Sequence, residues 1–371
     1  MAGRVKKAAP KKKANGHKMP APIPAGEVIK DNLFKKEWRL GPSIGVGGFG
    51  EIYSACDLTI KEPHENGPLF VEINFYLRNA TKDDIAKFMQ SKKLSSLGMP
   101  TYFGKGSHEC NGVTYRYLVM ERFGKDVWSL FTAAGKSFQP ATVFQLGLQM
   151  LDVLEYIHSR GYVHADLKGA NMLLGAKTNT KNQVYLVDFG LATRLKENQP
   201  FSPDPKSAHN GTIEYTSRDA HLGEPTMRGD LEILAYNMLQ WLTGELPWEK
   251  SLKQPKTVQS MKETFMKNVR TNIKNLSSDV PGEFYFLILL LCLVGLVVAS
   301  ATAEHGVLSS IPRSRCFKTP LPNNSGNVRR DVMLCFNMNI SYACVDTAVT
   351  RWSCLDDRNL KSESHTEKSK K

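Results

Sequence analysis

Asp166, Lys168, Asn171 and Asp188 are the side chains whose type and spacing point most directly to chemistry. They stand in Tyr162-Val163-His164-Ala165-Asp166-Leu167-Lys168-Gly169-Ala170-Asn171 and in Asp188-Phe189-Gly190. A carboxylate at Asp166 can take the proton of a hydroxyl. The ammonium of Lys168 can steady negative charge on a moving phosphoryl group. The amide oxygen of Asn171 and the carboxylate of Asp188 are hard oxygen ligands of the kind magnesium takes. Upstream lies Gly45-Val46-Gly47-Gly48-Phe49-Gly50. Glycines let such a loop turn tightly and aim N–H groups at phosphate oxygens. On its own the pattern also fits a dinucleotide-binding turn or a merely flexible loop. A dinucleotide turn is followed by a helix, whereas Ile52 and Tyr53 favour a strand. The chemistry indicated is phosphoryl transfer from a nucleotide to a hydroxyl.

A lysine that pairs with the α- and β-phosphates is also needed, held by a glutamate. Lys61 in Thr59-Ile60-Lys61 is the candidate, and Glu72 is its expected partner. The interval from Gly50 to Lys61 is short for two paired strands and their turn. A slip of one residue would turn every side chain of the strand to the other face. A tight hairpin that still delivers Lys61 and a damaged nucleotide site both fit. The intact downstream residues favour the first.

These residues need a scaffold of strands followed by helices. Glu51–Ala55 reads as a strand after the glycine turn, Tyr115–Met120 as a second and Val184–Asp188 as a short buried third. Val143, Leu146, Met150, Leu154 and Ile157 recur at helical spacing and predict a buried helix. Leu231–Leu242 is apolar almost all round and predicts a central helix. The expected segments are a basic tail over 1–33, one folded domain over 34–283, an apolar run over 284–303 and a polar tail over 304–371. There is no internal repeat.

Several stretches resemble the vaccinia-related kinases, a Ser/Thr kinase family of the casein-kinase-1-like group. They are the run Lys61–Glu72, Met120-Glu121-Arg122-Phe123-Gly124, the run Asn210–His221, Arg228-Gly229-Asp230-Leu231-Glu232-Ile233-Leu234 and Trp241–Trp248. The likeness runs from about residue 30 to about 283. It implies an α+β, bilobal protein kinase fold, with a small β-rich N-lobe over 34–121 and a larger helical C-lobe over 122–283, the latter truncated. It implies ATP and Mg2+ as cofactors, with Asp166, Lys168, Lys61 and Glu72 catalytic and Asn171 and Asp188 on the metal. Ile44, the loop Gly45, Val46, Gly47, Gly48, Phe49 and Gly50, and Ile52 would cover the nucleotide, with Leu173 beneath it. Met120 would be the gatekeeper, Glu121 and Phe123 would offer backbone hydrogen bonds to adenine, and Asp230 would brace the catalytic loop. The family also implies nuclear, chromatin-associated substrates such as histones or the barrier-to-autointegration factor, without sequence-specific binding of nucleic acid. A pseudokinase scaffold on the same fold is the alternative.

One departure bears on control. Ala165 stands where most kinases carry an arginine that pairs with a phosphorylated activation loop. Activity is therefore expected without phosphate on Ser202, Ser207, Thr212 or Thr216.

Net charge is +13, from 49 Lys+Arg against 36 Asp+Glu. Such a surplus suits acidic partners such as chromatin or anionic membrane. The basic residues among the first thirteen fit a nuclear signal or a plain solvated tail, so a nuclear location is expected. The uncharged run 284–303 is long enough to cross a bilayer, which would instead put the chain in the endoplasmic reticulum or nuclear envelope with the kinase facing cytosol or nucleoplasm. A buried helix fits the run too. So does the signal segment of a separate secreted peptide, given Ala301-Thr302-Ala303 at its end. Cys316, Cys335, Cys344 and Cys354 and the sequons at Asn323 and Asn339 suit an oxidising lumen. Cys56, Cys110 and Cys292 read as scattered reduced thiols.

Overall fold

Most strands lie in the first third of the folded domain and most helices in the rest. A computed structural model describes residues 22–31, 36–46, 50–54, 58–61, 68–196, 200–277, 280, 316–319 and 332–335. Expectations for Gly47, Gly48, Phe49, Cys56, Cys292, Cys344, Cys354, the basic residues of the tail and the run 284–303 lie outside these residues. The chain divides into two units, Met1–Ala299 and Ser300–Lys371.

In the first unit, β1 (Val28–Asp31) and β2 (Lys36–Arg39) form an antiparallel hairpin. Five further strands make an antiparallel sheet. They are β3 (Ser43–Val46), β4 (Gly50–Tyr53), β5 (Leu58–Lys61), β6 (Tyr102–Cys110) and β7 (Val113–Met120), in the order β3-β4-β5-β7-β6. Tyr115, Tyr117 and Val119 of β7 join Ile29, Trp38 and Tyr53 in an outer core. Leu118 and Met120 face the other way, toward the main core. Period-two alternation assigns the two faces of one strand to two cores. Between β5 and β6 lie α1 (Pro68–Asn79) and α2 (Lys82–Lys92).

After β7 comes β8 (Phe123–Asp126), whose Asp126 caps α3 (Val127–Ala133) by accepting from the Ser129 N–H at 2.8 Å. The long α4 (Pro140–Ser159) opens on a proline, which has no N–H to leave unpaired. Then come β9 (Tyr162–Val163), β10 (Met172–Gly175), β11 (Val184–Leu186) and β12 (Thr193–Arg194). β8, β10 and β11 form one small sheet, and β9 pairs with β12. The helices α5 (Arg218–His221), α6 (Met227–Thr243), α7 (Pro255–Lys267) and α8 (Val269–Leu276) complete the larger lobe. Thr226 caps α6, and Gly244 ends it at φ +88°. Val143, Leu146, Met150, Leu154 and Ile157 are all buried, as their spacing predicts. α6 is buried along most of its length.

The expected strand over Val184–Asp188 stops at Leu186. Asp188 instead adopts a left-handed conformation, φ +66° and ψ +65°, ahead of a single 3-10 turn. Cys110 is a buried free thiol. Of the second unit only β13 (Cys316–Thr319) and β14 (Val332–Cys335) are described. They pair antiparallel with Cys316 opposite Cys335.

Candidate active site

The loop after β9 is shaped by a buried carboxylate. Asp230, in the first turn of α6, accepts the His164 N–H at 2.8 Å on Oδ2 and the Ala165 N–H at 2.8 Å on Oδ1. His158 Nε2 lies 2.9 Å from the same Oδ2. Ala165 sits at φ +66°. A left-handed conformation costs a non-glycine residue about 1–2 kcal/mol, and the paired bonds to Asp230 hold it there. The bracing role expected of Asp230 is matched by these contacts. His158 is a member of the set that the sequence reading missed.

Turned this way, the loop presents Asp166. Its Oδ2 is 2.6 Å from Lys168 Nζ, and its Oδ1 accepts the Thr212 N–H at 2.8 Å. Lys168 also donates to Thr212 Oγ1 at 3.1 Å. Asn171 Nδ2 donates to the Asp166 carbonyl at 3.0 Å, which leaves Asn171 Oδ1 as an acceptor. Gly211, at φ +92°, lets the neighbouring segment approach closely. A Cβ there would lie 3.0 Å from the Ala165 carbonyl. Asp166, Lys168 and Asn171 are thus gathered as expected. Thr212 enters the site through its N–H and hydroxyl; the sequence offered it only as a phosphorylatable residue.

Phe189 is fully buried and stacks on Phe75 of α1 at 3.9 Å between ring centroids, 9° from parallel. It also meets Tyr76 edge-on at 5.4 Å and tilts against His164 at 4.8 Å. With Phe189 packed inward, its neighbour Asp188 stays on the partly exposed side. Glu72 is buried on the same helix. Tyr76, fully buried, has its hydroxyl pushed well above the ordinary tyrosine value, first by burial and then by Glu72, Asp188 and Glu121.

Lys61 ends β5, opposite Gly50 on one side and Arg116 on the other. The guanidinium of Arg116 lies over the Phe70 ring of α1 at 5.3 Å. The side chains of Lys61, Val46 and Gly50 are outside the described residues. Ile44 on β3 is half exposed, and Ile52 on β4 and Leu173 on β10 are partly buried. Exposed Ile44 is apolar surface of the kind a purine would cover. Met120 closes β7, and the Glu121 N–H donates to Thr101 O at 3.1 Å while its carboxylate accepts from the Thr101 N–H at 3.1 Å. Phe123 begins β8 and packs on Tyr185 at 4.8 Å.

The oxygen donors of Asp188 and Asn171 suit magnesium. Among the described residues no group of three or more His, Cys, Asp or Glu could hold a metal by itself.

The family model for the protein kinase domain matches residues 104–295. It runs past Glu283 into the apolar run. Nucleosomal histone kinase 1 of Drosophila melanogaster is 54% identical over 278 residues, covering 72% of this chain and 46% of that protein. The serine/threonine-protein kinase VRK2 of Homo sapiens is 46% identical over 267 residues, covering 68% of this chain and 52% of that protein. The chain thus spans about half the length of these relatives. The structure of vaccinia related kinase 3 superposes with a TM-score of 0.62 at 25% identity, over 76% of this chain and 93% of that one.

Proposed function

The chain belongs to the vaccinia-related kinase family of protein kinases, and from that premise we propose that it transfers the γ-phosphate of ATP to Ser or Thr hydroxyls of nuclear, chromatin-associated proteins, histones among them. The observation that carries the reading is the arrangement of Asp166, Lys168 and Thr212. Both oxygens of one carboxylate are oriented by fixed donors beside an ammonium.

In this reading Asp166 orients the substrate hydroxyl and accepts its proton as the oxygen bonds to the γ-phosphorus and the bond to ADP breaks. Lys168 offsets charge on the transferring group. Asn171 and Asp188 would hold magnesium, which when bound neutralises phosphate charge. Lys61, held by Glu72, would pair with the α- and β-phosphates. The backbone register of β5, with Lys61 opposite Gly50 and Arg116, is the observation that supports this. Ile44, Ile52 and Leu173 would enclose the adenine, with Glu121 and Phe123 as its backbone partners and Met120 behind it.

The segment leading to α5 holds its place without a phosphate. Thr212 is engaged by Lys168 and Asp166, and Thr216 is buried with its hydroxyl donating to Thr212 O at 3.0 Å. This supports activity independent of phosphorylation there. A nuclear location rests on the name of the fly relative and on the basic first residues. Among the described residues no helix is long and apolar enough to cross a membrane; 284–303 is not among them.

The test is incubation of the purified full chain with Mg-ATP and a histone mixture, followed by phosphoamino-acid analysis. Label on Ser and Thr alone is expected. A folded protein that labels nothing would turn the reading to the pseudokinase alternative.

A further inference from the structure

A second cluster of ionisable groups lies beneath the segment that carries Thr212. Lys262 of α7 is 0% exposed. Its Nζ lies 2.9 Å from Ile213 O, 2.7 Å from Thr216 O and 3.3 Å from His221 Nε2. An ammonium has three protons and no acceptor, so three acceptors use all of them. The rings of Tyr236 and Trp248 each stand 5.2 Å from the same nitrogen, and a ring face attracts a desolvated cation.

The histidines beyond it follow. His221 Nε2 accepts from Lys262, so the proton of its neutral ring is on Nδ1. That Nδ1 lies 2.8 Å from His209 Nδ1, which must then accept and carry its own proton on Nε2. Both rings are held neutral. Burial, then the Lys262 charge and His209, lowers His221 to about 3. Burial and Lys256 lower His209.

Ile213 and Thr216 flank the turn that begins at Thr212, and Thr212 touches both Asp166 and Lys168. Resting on the kinase reading above, we propose that Lys262 is a positioning residue for phosphoryl transfer: its ammonium ties the 212–217 segment to α7 and α5 through two carbonyls and one imidazole, so that Thr212 meets Asp166 and Lys168. An internal cation thereby does the fastening that an arginine–phosphate pair does elsewhere, and Ala165 can stand where that arginine would be.

The groups facing Lys262 set its pH behaviour. They are Glu214 on the segment, Glu232 and Tyr236 on α6, Trp248 after it, and His221 on α5. Burial pushes Lys262 down to about 7, against the pull of Glu232 and Glu214. Losing a proton leaves two donors for three acceptors. The tether therefore weakens as pH rises through about 7 and is complete below it.

Two variants test this in the full chain. Lys262→Met keeps the stem and removes the donors. His221→Phe keeps a buried ring and removes one acceptor, which serves if the first variant does not fold. The expected result is a fall of about tenfold or more in kcat/KM for a histone substrate in Lys262→Met, the scale of one lost charged hydrogen bond. A smaller fall is expected in His221→Phe, with the KM for ATP within about twofold of wild type in both. Wild-type activity should also decline as pH rises from 6.5 to 8.5, and this limb should be absent in Lys262→Met. Unchanged kcat/KM for histone, or an equal loss of ATP affinity, would overturn the proposal. Amide exchange over 212–217 reads the tether directly, whatever the activity of the wild type. Faster exchange in the folded variant supports it, and unchanged exchange contradicts it. An inactive wild type with variant-sensitive exchange would count against the kinase reading alone.

Discussion

Thr212 makes two contacts whose roles separate by substitution. Its N–H fixes one oxygen of Asp166, and its hydroxyl fixes Lys168 beside the other. Thr212→Val keeps the N–H and deletes the hydroxyl. A hydrogen bond to a charged group contributes about 1.5–3 kcal/mol, so kcat should fall about tenfold or more while the KM for ATP stays put. Steady-state kinetics with a histone substrate would measure it, and a kcat equal to wild type would remove Thr212 from the catalytic set. Asp166, Lys168, Asn171 and Asp188 stand out in the sequence because phosphoryl transfer, the proposed chemistry, constrains residue types and order, and the structure brings the first three together. Thr212, His158 and Lys262 do not stand out. Each acts through a contact between residues far apart in sequence, and nothing local distinguishes a threonine that caps a catalytic lysine from one that waits for a phosphate.

Among the elements, the β4–β5 hairpin decides whether the nucleotide site is whole. Its register sets Gly50 against Lys61 and Tyr53 against Leu58, so the short interval is accommodated by short strands with no break in pairing. Lys61 ends a central strand opposite Arg116. If the hairpin delivers Lys61 to the phosphates, Lys61→Met should lower kcat about a hundredfold, the scale of removing one preorganised charge partner from a transition state. Activity within twofold of wild type would mean that another cation serves. Packing between α4 and β11 is tight enough for a separate test. A Cβ at Gly98 would lie 2.1 Å from Val184 O and 3.1 Å from Val153 Cγ2. Gly98→Ala must displace backbone and should destabilise by about 1–3 kcal/mol, read as a lower urea midpoint with an unchanged slope; an unchanged midpoint would show that the contact yields freely. Helical spacing revealed α4 because its buried face is apolar throughout, and α6 because apolar residues dominate it even though Asp230, Glu232, Asn237 and Gln240 are buried too. The end of β11 was misplaced because Val187 continues the apolar run of Val184-Tyr185-Leu186, while tertiary contacts with Phe75 and His164 draw Phe189 inward and Asp188 lies in the left-handed region.

For the whole molecule, the kinase lobes and the last seventy residues pose different questions. The family match running to residue 295 carries the kinase likeness into the apolar run that begins at Phe284. If 284–303 is a part of the large lobe, the expressed chain should be released from membranes by alkaline carbonate. Retention in the membrane pellet would favour a span, and the Cys316–Cys335 register would then lie in a tail open to an oxidising lumen. Hydropathy alone could not separate these, because a bilayer and a protein core select the same side chains. Within the lobes, the role proposed for Asp166 is that of the base that accepts the proton of the substrate hydroxyl. Its most direct test compares wild type with Asp166→Asn in a single-turnover phosphate transfer to histone, with thermal shift by Mg-ATP measured on both. Ligand at about a hundred times its Kd stabilises a folded site by about 2.7 kcal/mol. Both proteins should be stabilised by Mg-ATP, and transfer should occur in the wild type and be lost in Asp166→Asn. Equal transfer by the two proteins, or none by a wild type that binds Mg-ATP, would contradict this role.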